Sequence, residues 1–223
     1  MITGFSNCNK TNSVSPAALR VFNVDPSIPP QDMYLNGAMR VAGLTYGSDT
    51  NYIAVLPGTY NLQIAPVGST TFNTDYNIDF STGKNYMMFL LNIKGAIQTE
   101  AFEENIVPMG YDTAEFRFLP FSPNAPLMNV AIKSDTASFD TTYVIFNNRF
   151  FNDAYSTRTL AQFTRIISGP YTLKVRYLAS DSTMVTIDSM HINFIPKNAY
   201  TVYTRGYFDS TGVPPFTIDT LHH

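Results

Sequence analysis

A chain of 223 residues is long enough for one large β domain or for two domains of ordinary size. Only 14% of its residues are charged, against a typical value of about 25% in soluble proteins, and its formal net charge is −3. The sequence contains no basic run, so it lacks the electrostatic footprint of a protein that binds nucleic acid or an anionic membrane surface, and we discount both partners. No stretch approaches the roughly 20 apolar residues of a membrane span.

The one cysteine, Cys8, allows no intrachain disulfide, so burial must stabilise the fold. Cys8 precedes the polar run 9–13, an arrangement that resembles the end of a bacterial lipoprotein signal, where the cysteine becomes lipidated. This resemblance implies an exported outer-membrane lipoprotein, periplasmic or surface-facing, that touches the membrane only through its lipid anchor. Residues 1–15 are then expected to form a disordered tether. The other interpretation of Cys8 is a free thiol in a disordered tail.

Apolar and polar residues alternate along much of the chain, as in half-buried β-strands. In the first half the alternation runs through 19–21, 60–64 and 76–80, with turn residues between the runs. The stretch 86–93 is apolar on both faces, which predicts a strand covered on both sides, in a sheet interior or against a neighbouring unit. The segments 98–105 and 152–160 are the best candidates for a turn or two of helix.

The second half of the sequence repeats the first, in the same order. The matched segments are 19–29 with 116–126, 56–64 with 167–175, and 80–86 with 194–200. We therefore predict an all-β fold of two tandem immunoglobulin-like or transthyretin-like β-sandwich domains that pack against each other. The first domain is expected at 16–107 and the second at 108–223.

The spacing between Pro126 and Gly169 exceeds that between Pro29 and Gly58, which predicts an inserted loop or extra hairpin near 134–159. The alternation also predicts the interior of each domain. The expected core residues are Leu19 or Phe22, Tyr60, Leu62, Ile64, Ile78, Phe80 and Met88 in the first domain, and Phe116 or Phe118, Tyr171, Leu173, Val175, Ile192, Phe194 and Val202 in the second.

Catalysis needs a positioned acid, base or nucleophile, and the sequence carries no motif for one, nor for a metal or a phosphate. His191 occupies a polar position of a strand and should face solvent, whereas His222 and His223 are assigned to no site. The acidic residues cluster in turn-like triplets, where solvent should hold their pKa values near normal. We expect a protein that is not an enzyme and has no catalytic residue, metal site or cofactor.

Aspartate followed by serine or threonine recurs along the chain. The triplets resemble the acceptor signal of the general protein O-glycosylation system of Bacteroidetes, which acts on exported proteins. The other interpretation is that these dipeptides are ordinary turn formers. The candidate acceptors are Thr113, Thr136, Thr141, Ser182, Ser189, Ser210 and Thr220.

The first repeat carries a proline-rich turn at 25–30, Asp32-Met33-Tyr34 shortly before Gly37, then Leu56-Pro57-Gly58-Thr59-Tyr60 and Gly83-Lys84-Asn85-Tyr86. This pattern resembles the bacterial domain-of-unknown-function family 4397. The second repeat keeps the prolines at 123 and 126, Gly169 and Tyr171 but departs from the pattern at Asn129, Ala131 and Lys197. Over roughly 16–207, the resemblance implies a tandem β-sandwich on an exported, often lipid-anchored protein of the Bacteroidetes type, and it implies no activity.

The favoured role is contact with another cell-envelope protein. One alternative is a glycan-binding module for polysaccharide capture, in which tyrosines form a stacking platform. The candidate tyrosines are Tyr46, Tyr52, Tyr111, Tyr143 and Tyr155. A second alternative is a pilus-like structural subunit that donates or accepts a strand. The sequence leaves the oligomeric state open.

Overall fold

The computed structural model describes residues 14–107, 110–136, 142–208 and 214–223. Within these ranges the chain forms sixteen β-strands, one short α-helix, α1 (Asp153–Ser156), and one 3₁₀ helix (Arg158–Ala161). The first eight strands are β1 (Ala17–Asn23), β2 (Gln31–Leu35), β3 (Ala38–Leu44), β4 (Ile53–Val55), β5 (Gly58–Pro66), β6 (Thr74–Phe80), β7 (Asn85–Ile93) and β8 (Ala96–Glu103). The others are β9 (Thr113–Pro120), β10 (Met128–Ser134), β11 (Thr142–Arg149), β12 (Thr164–Ile167), β13 (Gly169–Leu178), β14 (Met184–Phe194), β15 (Ala199–Arg205) and β16 (Thr217–His222).

Each half of the chain folds as a sandwich of two four-stranded sheets, and the strand order is the same in both halves. The first sandwich consists of the sheets β4-β1-β7-β8 and β3-β2-β5-β6, and the second of β12-β9-β15-β16 and β11-β10-β13-β14. In each half the first strand lies parallel to the seventh, β1 to β7 and β9 to β15. The prediction of an all-β fold with two tandem β-sandwiches is confirmed.

The backbone geometry also repeats at the matched turns. Gly58 has φ +144° and Gly169 has φ +143°, values that are essentially restricted to glycine. The hydroxyl of Tyr86 accepts a hydrogen bond from the backbone N–H five residues earlier at 3.0 Å. The hydroxyl of Tyr200 accepts the equivalent bond at the same distance. The repeated sequence segments therefore occupy repeated local structures.

Each sandwich has its own apolar core between its two sheets. Leu19, Leu62 and Ile64 lie in the first core and are inaccessible to solvent, as are Phe116, Leu173 and Val175 in the second. The other predicted core residues lie in or against the same two clusters, with one exception. Phe22 points the other way, out of the first sandwich and towards the second.

A third apolar cluster joins the two sandwiches. Alternate residues of β7 divide between two clusters: Met88 and Leu90 enter the first core, whereas Phe89 and Leu91 enter the cluster between the domains. The Phe89 ring lies 4.6 Å from the Phe121 ring of the second sandwich, measured between centroids. The prediction that 86–93 is a strand covered on both sides is confirmed.

The region of the expected insertion contributes to this interface. α1 and the 3₁₀ helix place Ala154 and Ala161 in the cluster between the domains. Arg149, at the end of β11, anchors α1 through a buried ion pair with Asp153, with Nε and Oδ2 2.6 Å apart. The expected helical turns at 152–160 are confirmed. Part of the inserted region, 137–141, lies outside the described residues.

The expected helix at 98–105 is wrong, because these residues belong mainly to β8. Ile97 and Ala101 pack on the first core while Phe102 faces the second sandwich, so the strand is covered on both faces. Its backbone pairs with β7 along its whole length. This pairing overrides the weak helical periodicity of the segment.

Candidate ligand-binding cleft between the two sandwiches

A cleft of about 490 Å³ lies between the two sandwiches. One wall is β8, which is the outer strand of its sheet, and the other wall is β9 together with the 3₁₀ helix and the residues that follow it. The lining residues are Ala101, Phe102, Glu103, Asn105, Val107, Glu115, Arg117, Arg158, Ala161, Gln162 and Phe163. Its volume lies within the range of about 300–1,000 Å³ that is typical of small-molecule sites.

Arg117 in the cleft wall is almost fully buried, with 2% of its surface exposed. It sits between Phe116 and Phe118, whose side chains fill the second core, so the strand alternation turns Arg117 towards the first sandwich. Its Nε donates a hydrogen bond to Thr201 Oγ1 at 2.8 Å, and its Nη2 donates to the thioether sulfur of Met87 at 3.3 Å.

The guanidinium of Arg117 also lies over two aromatic rings, 4.6 Å from the centroid of Phe163 and 5.6 Å from that of Phe102. Burial lowers the pKa of Arg117 to about 10, although the negative charge of Glu104 opposes this shift. The side chain therefore remains protonated at neutral pH. Within the described ranges no carboxylate forms an ion pair with it.

The other three charged residues of the lining have partners of opposite charge. Glu103 pairs with Lys84 at 2.6 Å, Glu115 with Arg165 at 3.2 Å, and Arg158 with Glu100 at 3.1 Å. These pairs leave Arg117 as the one charge of the lining without an ion pair to a described residue.

A buried polar network continues from Arg117 to the end of the sequence. Thr201 Oγ1 lies 2.9 Å from Nε2 of His223, and Nδ1 of His223 lies 3.4 Å from Glu104 Oε2. Tyr52 donates a hydrogen bond to the same carboxylate. His223, which the sequence assigned to no site, therefore lies at the domain interface.

The expectation that the acidic residues are solvent-exposed with ordinary pKa values is wrong at the domain interface. Burial raises the pKa of Glu100, although the charge of Arg158 opposes the shift. Burial would also raise the pKa of Glu104, but the nearby imidazole of His223 and a hydrogen bond from Tyr52 outweigh this effect and hold that pKa below its ordinary value. These glutamates lie on β8 or just after it, in a part of the chain that the second sandwich covers.

His191 lies on β14, away from the cleft lining, and 83% of its side chain is exposed. The prediction that it faces solvent is confirmed. Its Nδ1 lies 3.2 Å from Thr172 Oγ1 and 3.3 Å from Asp135 Oδ2, in a cluster on the surface of the second sandwich. Among the described residues, no three histidine, cysteine or acidic side chains meet as a metal site.

The family model described as "Domain of unknown function (DUF4397)" matches residues 17–131. The chain belongs to the DUF4397 family. The match covers the first sandwich and reaches into β10 of the second. A search of curated proteins finds no match.

Solved structures similar to this DUF4397 protein include two from Bacteroides ovatus. A DUF3823 family protein is 8% identical, with 80% of this chain and 98% of that chain covered and a TM-score of 0.22. A putative cell adhesion protein is 11% identical, with coverages of 94% and 96% and a TM-score of 0.26. A leucine-rich repeat protein from Bacteroides thetaiotaomicron is 10% identical, with coverages of 84% and 25% and a TM-score of 0.20.

The modification sites suggested by the sequence of this DUF4397 chain lie away from the cleft lining or outside the described residues. Cys8, Thr141 and Ser210 fall outside the described ranges. Four candidate acceptors are exposed and Thr113 is half-buried; the exposed ones are Thr136, Ser182, Ser189 and Thr220. In one triplet the Asp181 carboxylate accepts hydrogen bonds from the backbone N–H and hydroxyl of Thr183, as expected of a turn former. Glycosylation stays a prediction.

The tyrosines considered for a glycan platform lie on separate parts of the two sandwiches. Tyr46 stacks under Arg205 of the second sandwich at 5.1 Å, whereas Tyr52 donates a hydrogen bond to Glu104 within the first sandwich. The ring of Tyr111 lies 3.8 Å from the Lys197 ammonium. The remaining two, Tyr143 on β11 and Tyr155 on α1, are exposed. The part of the chain that the structure describes has no helix long and apolar enough to cross a bilayer.

Proposed function

We propose that this protein is a non-enzymatic binding protein of the cell envelope and that the cleft between its two sandwiches is the binding site. The observation that carries the proposal is the buried Arg117, which lines a cleft of about 490 Å³ and has no ion-pair partner among the described residues. A buried charge is costly unless it is compensated, so its place in a cleft wall favours a ligand that compensates it.

The second sandwich is, in this proposal, a second and more diverged copy of the DUF4397 domain, with the division at 16–107 and 108–223. The family match covers mainly the first copy. Three features support the second: the identical strand order, the matching φ angles at Gly58 and Gly169, and the matching hydrogen bonds to Tyr86 and Tyr200. Two copies create a cleft that one sandwich alone does not have.

The envelope location rests on Cys8 and the polar residues that follow it, which suit a lipid anchor with a short tether. The test is to express the natural gene in its own host and compare the wild type with Cys8→Ala. We expect the wild-type protein in the outer-membrane fraction and the variant in the soluble periplasmic fraction. Unchanged fractionation of the variant would contradict lipid anchoring.

Binding at the cleft is tested by an NMR screen of the purified chain against a panel of small neutral sugars, acidic sugars, amino acids and short peptides. Gln162→Trp serves as the matched variant, because Gln162 is exposed at the cleft and a larger side chain there would fill the space. We expect at least one compound class to shift cleft resonances in the wild type and not in the variant. A panel that shifts no cleft resonance would contradict the proposed site.

A second candidate function is contact with another envelope protein through β11. Among the described residues, this strand is the outer strand of its sheet and pairs with β10 alone. Tyr143 and Val144 are exposed on it, and residues 142–148 carry no charge, whereas outer strands are usually protected by charged residues. A photo-crosslinker at position 143 should capture a protein partner in cells, and the same crosslinker at Thr172, on an inner strand, should not.

A pilus-like role would require a missing strand. Within the described ranges, however, each sandwich has the same set of eight strands and a buried core. The geometry therefore favours a binding protein over a strand-exchanging subunit.

A further inference from the structure

We propose that the cleft binds a small hydroxylated carboxylate, a sugar acid, whose carboxylate pairs with Arg117. This inference rests on the proposed function and adds the chemical class of the ligand.

The first observation is a comparison within the molecule. Arg20 and Arg117 occupy the same position of the two repeats, on β1 and β9, and each strand lies parallel to its partner at that point. Arg20 has a counterion, because its Nε lies 2.7 Å from Asp49 Oδ1. Arg117 is more deeply buried and forms no ion pair with a described residue. Of the two equivalent arginines, the one that lines the cleft is thus the one without a carboxylate partner among the described residues.

The second observation is the charge balance of the cleft. Glu103, Glu115 and Arg158 are each paired with an oppositely charged side chain that does not itself line the cleft. Arg117 is the remaining charge, and it is positive. The charge of Glu104 acts on Arg117 without forming an ion pair with it, so the guanidinium can still pair directly with a negatively charged group of a ligand.

The third observation concerns the shape of the guanidinium site. Arg117 uses Nε for Thr201 and Nη2 for Met87, while Nη1 donates to no described residue. The rings of Phe102 and Phe163 hold the guanidinium plane in place. A fixed, planar guanidinium with a free N–H group suits a carboxylate, since charge-assisted bonds of this type are among the strongest in proteins.

The rest of the lining favours hydroxyl groups over a hydrocarbon chain. Asn105 and Gln162 contribute amides that both donate and accept, and Glu103 and Glu115 contribute acceptor oxygens. One oxygen of Glu115, Oε2, is buried without a hydrogen-bond partner among the described residues. A ligand with several hydroxyls beside its carboxylate can form hydrogen bonds with these polar groups, whereas the hydrocarbon chain of a fatty acid cannot.

The experiment is isothermal titration calorimetry of the whole purified chain with D-galacturonate. D-galactose provides the same ring without the carboxylate, and acetate provides the carboxylate without the hydroxyls. Trigalacturonate separates the two possible sources of the ligand. If the natural ligand is a free sugar acid, galacturonate should bind at least as tightly as trigalacturonate. If it is the end of an acidic polysaccharide, galacturonate should bind more weakly than trigalacturonate. Arg117→Met is compared with Arg20→Met, the same substitution at the equivalent repeat position outside the cleft.

We expect galacturonate to bind at one site per chain, and galactose and acetate to bind at least about tenfold more weakly. Arg117→Met should weaken galacturonate by at least about tenfold, and Arg20→Met should leave it unchanged. If Arg117→Met fails to fold, Gln162→Trp replaces it and should abolish binding.

Equal binding of galactose and galacturonate that Gln162→Trp abolishes would overturn the carboxylate inference and leave the cleft as the binding site. Absence of galacturonate and trigalacturonate binding would overturn the inference as well. In that case the NMR panel decides separately whether the cleft binds another class of compound.

Discussion

Glu104 of the first sandwich and His223 of the second meet inside the domain interface, with Oε2 and Nδ1 3.4 Å apart and only 2% of either side chain exposed. The contact joins the end of β8 to the end of the chain. Thr201 links the same histidine to Arg117 in the wall of the cleft. The polar network therefore ties the orientation of the two sandwiches to the geometry of the cleft.

Glu104→Gln should destabilise the protein at pH 7. The pKa of Glu104 is held below its ordinary value of 4.5, so its ionised form stabilises the folded state above that pH. This contribution is lost as the pH falls through the lowered pKa. We expect the variant to melt at a lower temperature than the wild type at pH 7, with a difference that shrinks below pH 4.5.

Glu103→Gln is the control for that measurement. Glu103 is the neighbouring residue, and it pairs with Lys84, which is about half exposed. Exposed ion pairs contribute only about 0–1 kcal/mol. A similar loss of stability in both variants would contradict a specific role for the buried pair.

Glu100→Gln should have the opposite effect. Burial raises the pKa of Glu100 above 4.5, despite the charge of Arg158, so the ionised form is less favourable in the folded chain than in the unfolded chain. The cost is absent at low pH and appears as the pH rises through 4.5 and then through the raised pKa. The variant should melt at a higher temperature than the wild type at pH 7 and at the same temperature at low pH; a lower melting temperature at pH 7 would contradict this interpretation.

Phe89→Ala should destabilise the contact between the sandwiches. The Phe89 ring is fully buried and stacks on Phe22 at 4.9 Å and against Phe121 at 4.6 Å. Removing such a ring leaves a cavity and costs about 3–5 kcal/mol. We expect calorimetry to show one transition for the wild type and two separated transitions for the variant. Phe72→Ala, on a partly exposed ring, is the matched control and should keep one transition.

Gly58→Ala and Gly169→Ala should destabilise the protein by similar amounts, about 1–3 kcal/mol each, because both glycines have φ near +144°. No atom beyond the chain neighbours lies within 4 Å of an added Cβ at Gly58, and at Gly169 the Tyr171 ring is 3.9 Å away. The cost is therefore in the backbone conformation in both repeats. Chemical denaturation measures it, and clearly unequal losses would contradict the structural equivalence of the two turns.

The fold could be predicted from the sequence where local chemistry decides the structure. Glycine at positions 58 and 169 marks the same turn, and the alternation around Leu62 and Leu173 marks the same buried strand. The apolar run 86–93 indicated a strand covered on both faces, which the third cluster explains. Each of these signals comes from residues that lie within a few positions of one another along the chain.

The cleft could not be predicted in this way, because its walls come from distant parts of the chain. Ala101, Glu115 and Gln162 meet only after the two sandwiches pack together. One local signal was present, because Arg117 lies between two phenylalanines in a strand. Arg20 occupies the equivalent position of the first repeat and forms an ion pair with Asp49. The sequence alone does not predict that Arg117 lacks an ion-pair partner, because that depends on how the two domains pack.

The measurement that tests the central claim most directly is the NMR signal of the Arg117 Nε–H group during titration with D-galacturonate. This group already donates to Thr201 and belongs to the guanidinium that faces the cleft. We predict a saturable shift of the Arg117 signal and of the Gln162 side-chain amide, with no shift of the Arg20 signal. A titration that leaves Arg117 unmoved, or that moves Arg20 equally, would contradict a ligand site in the cleft between the two sandwiches.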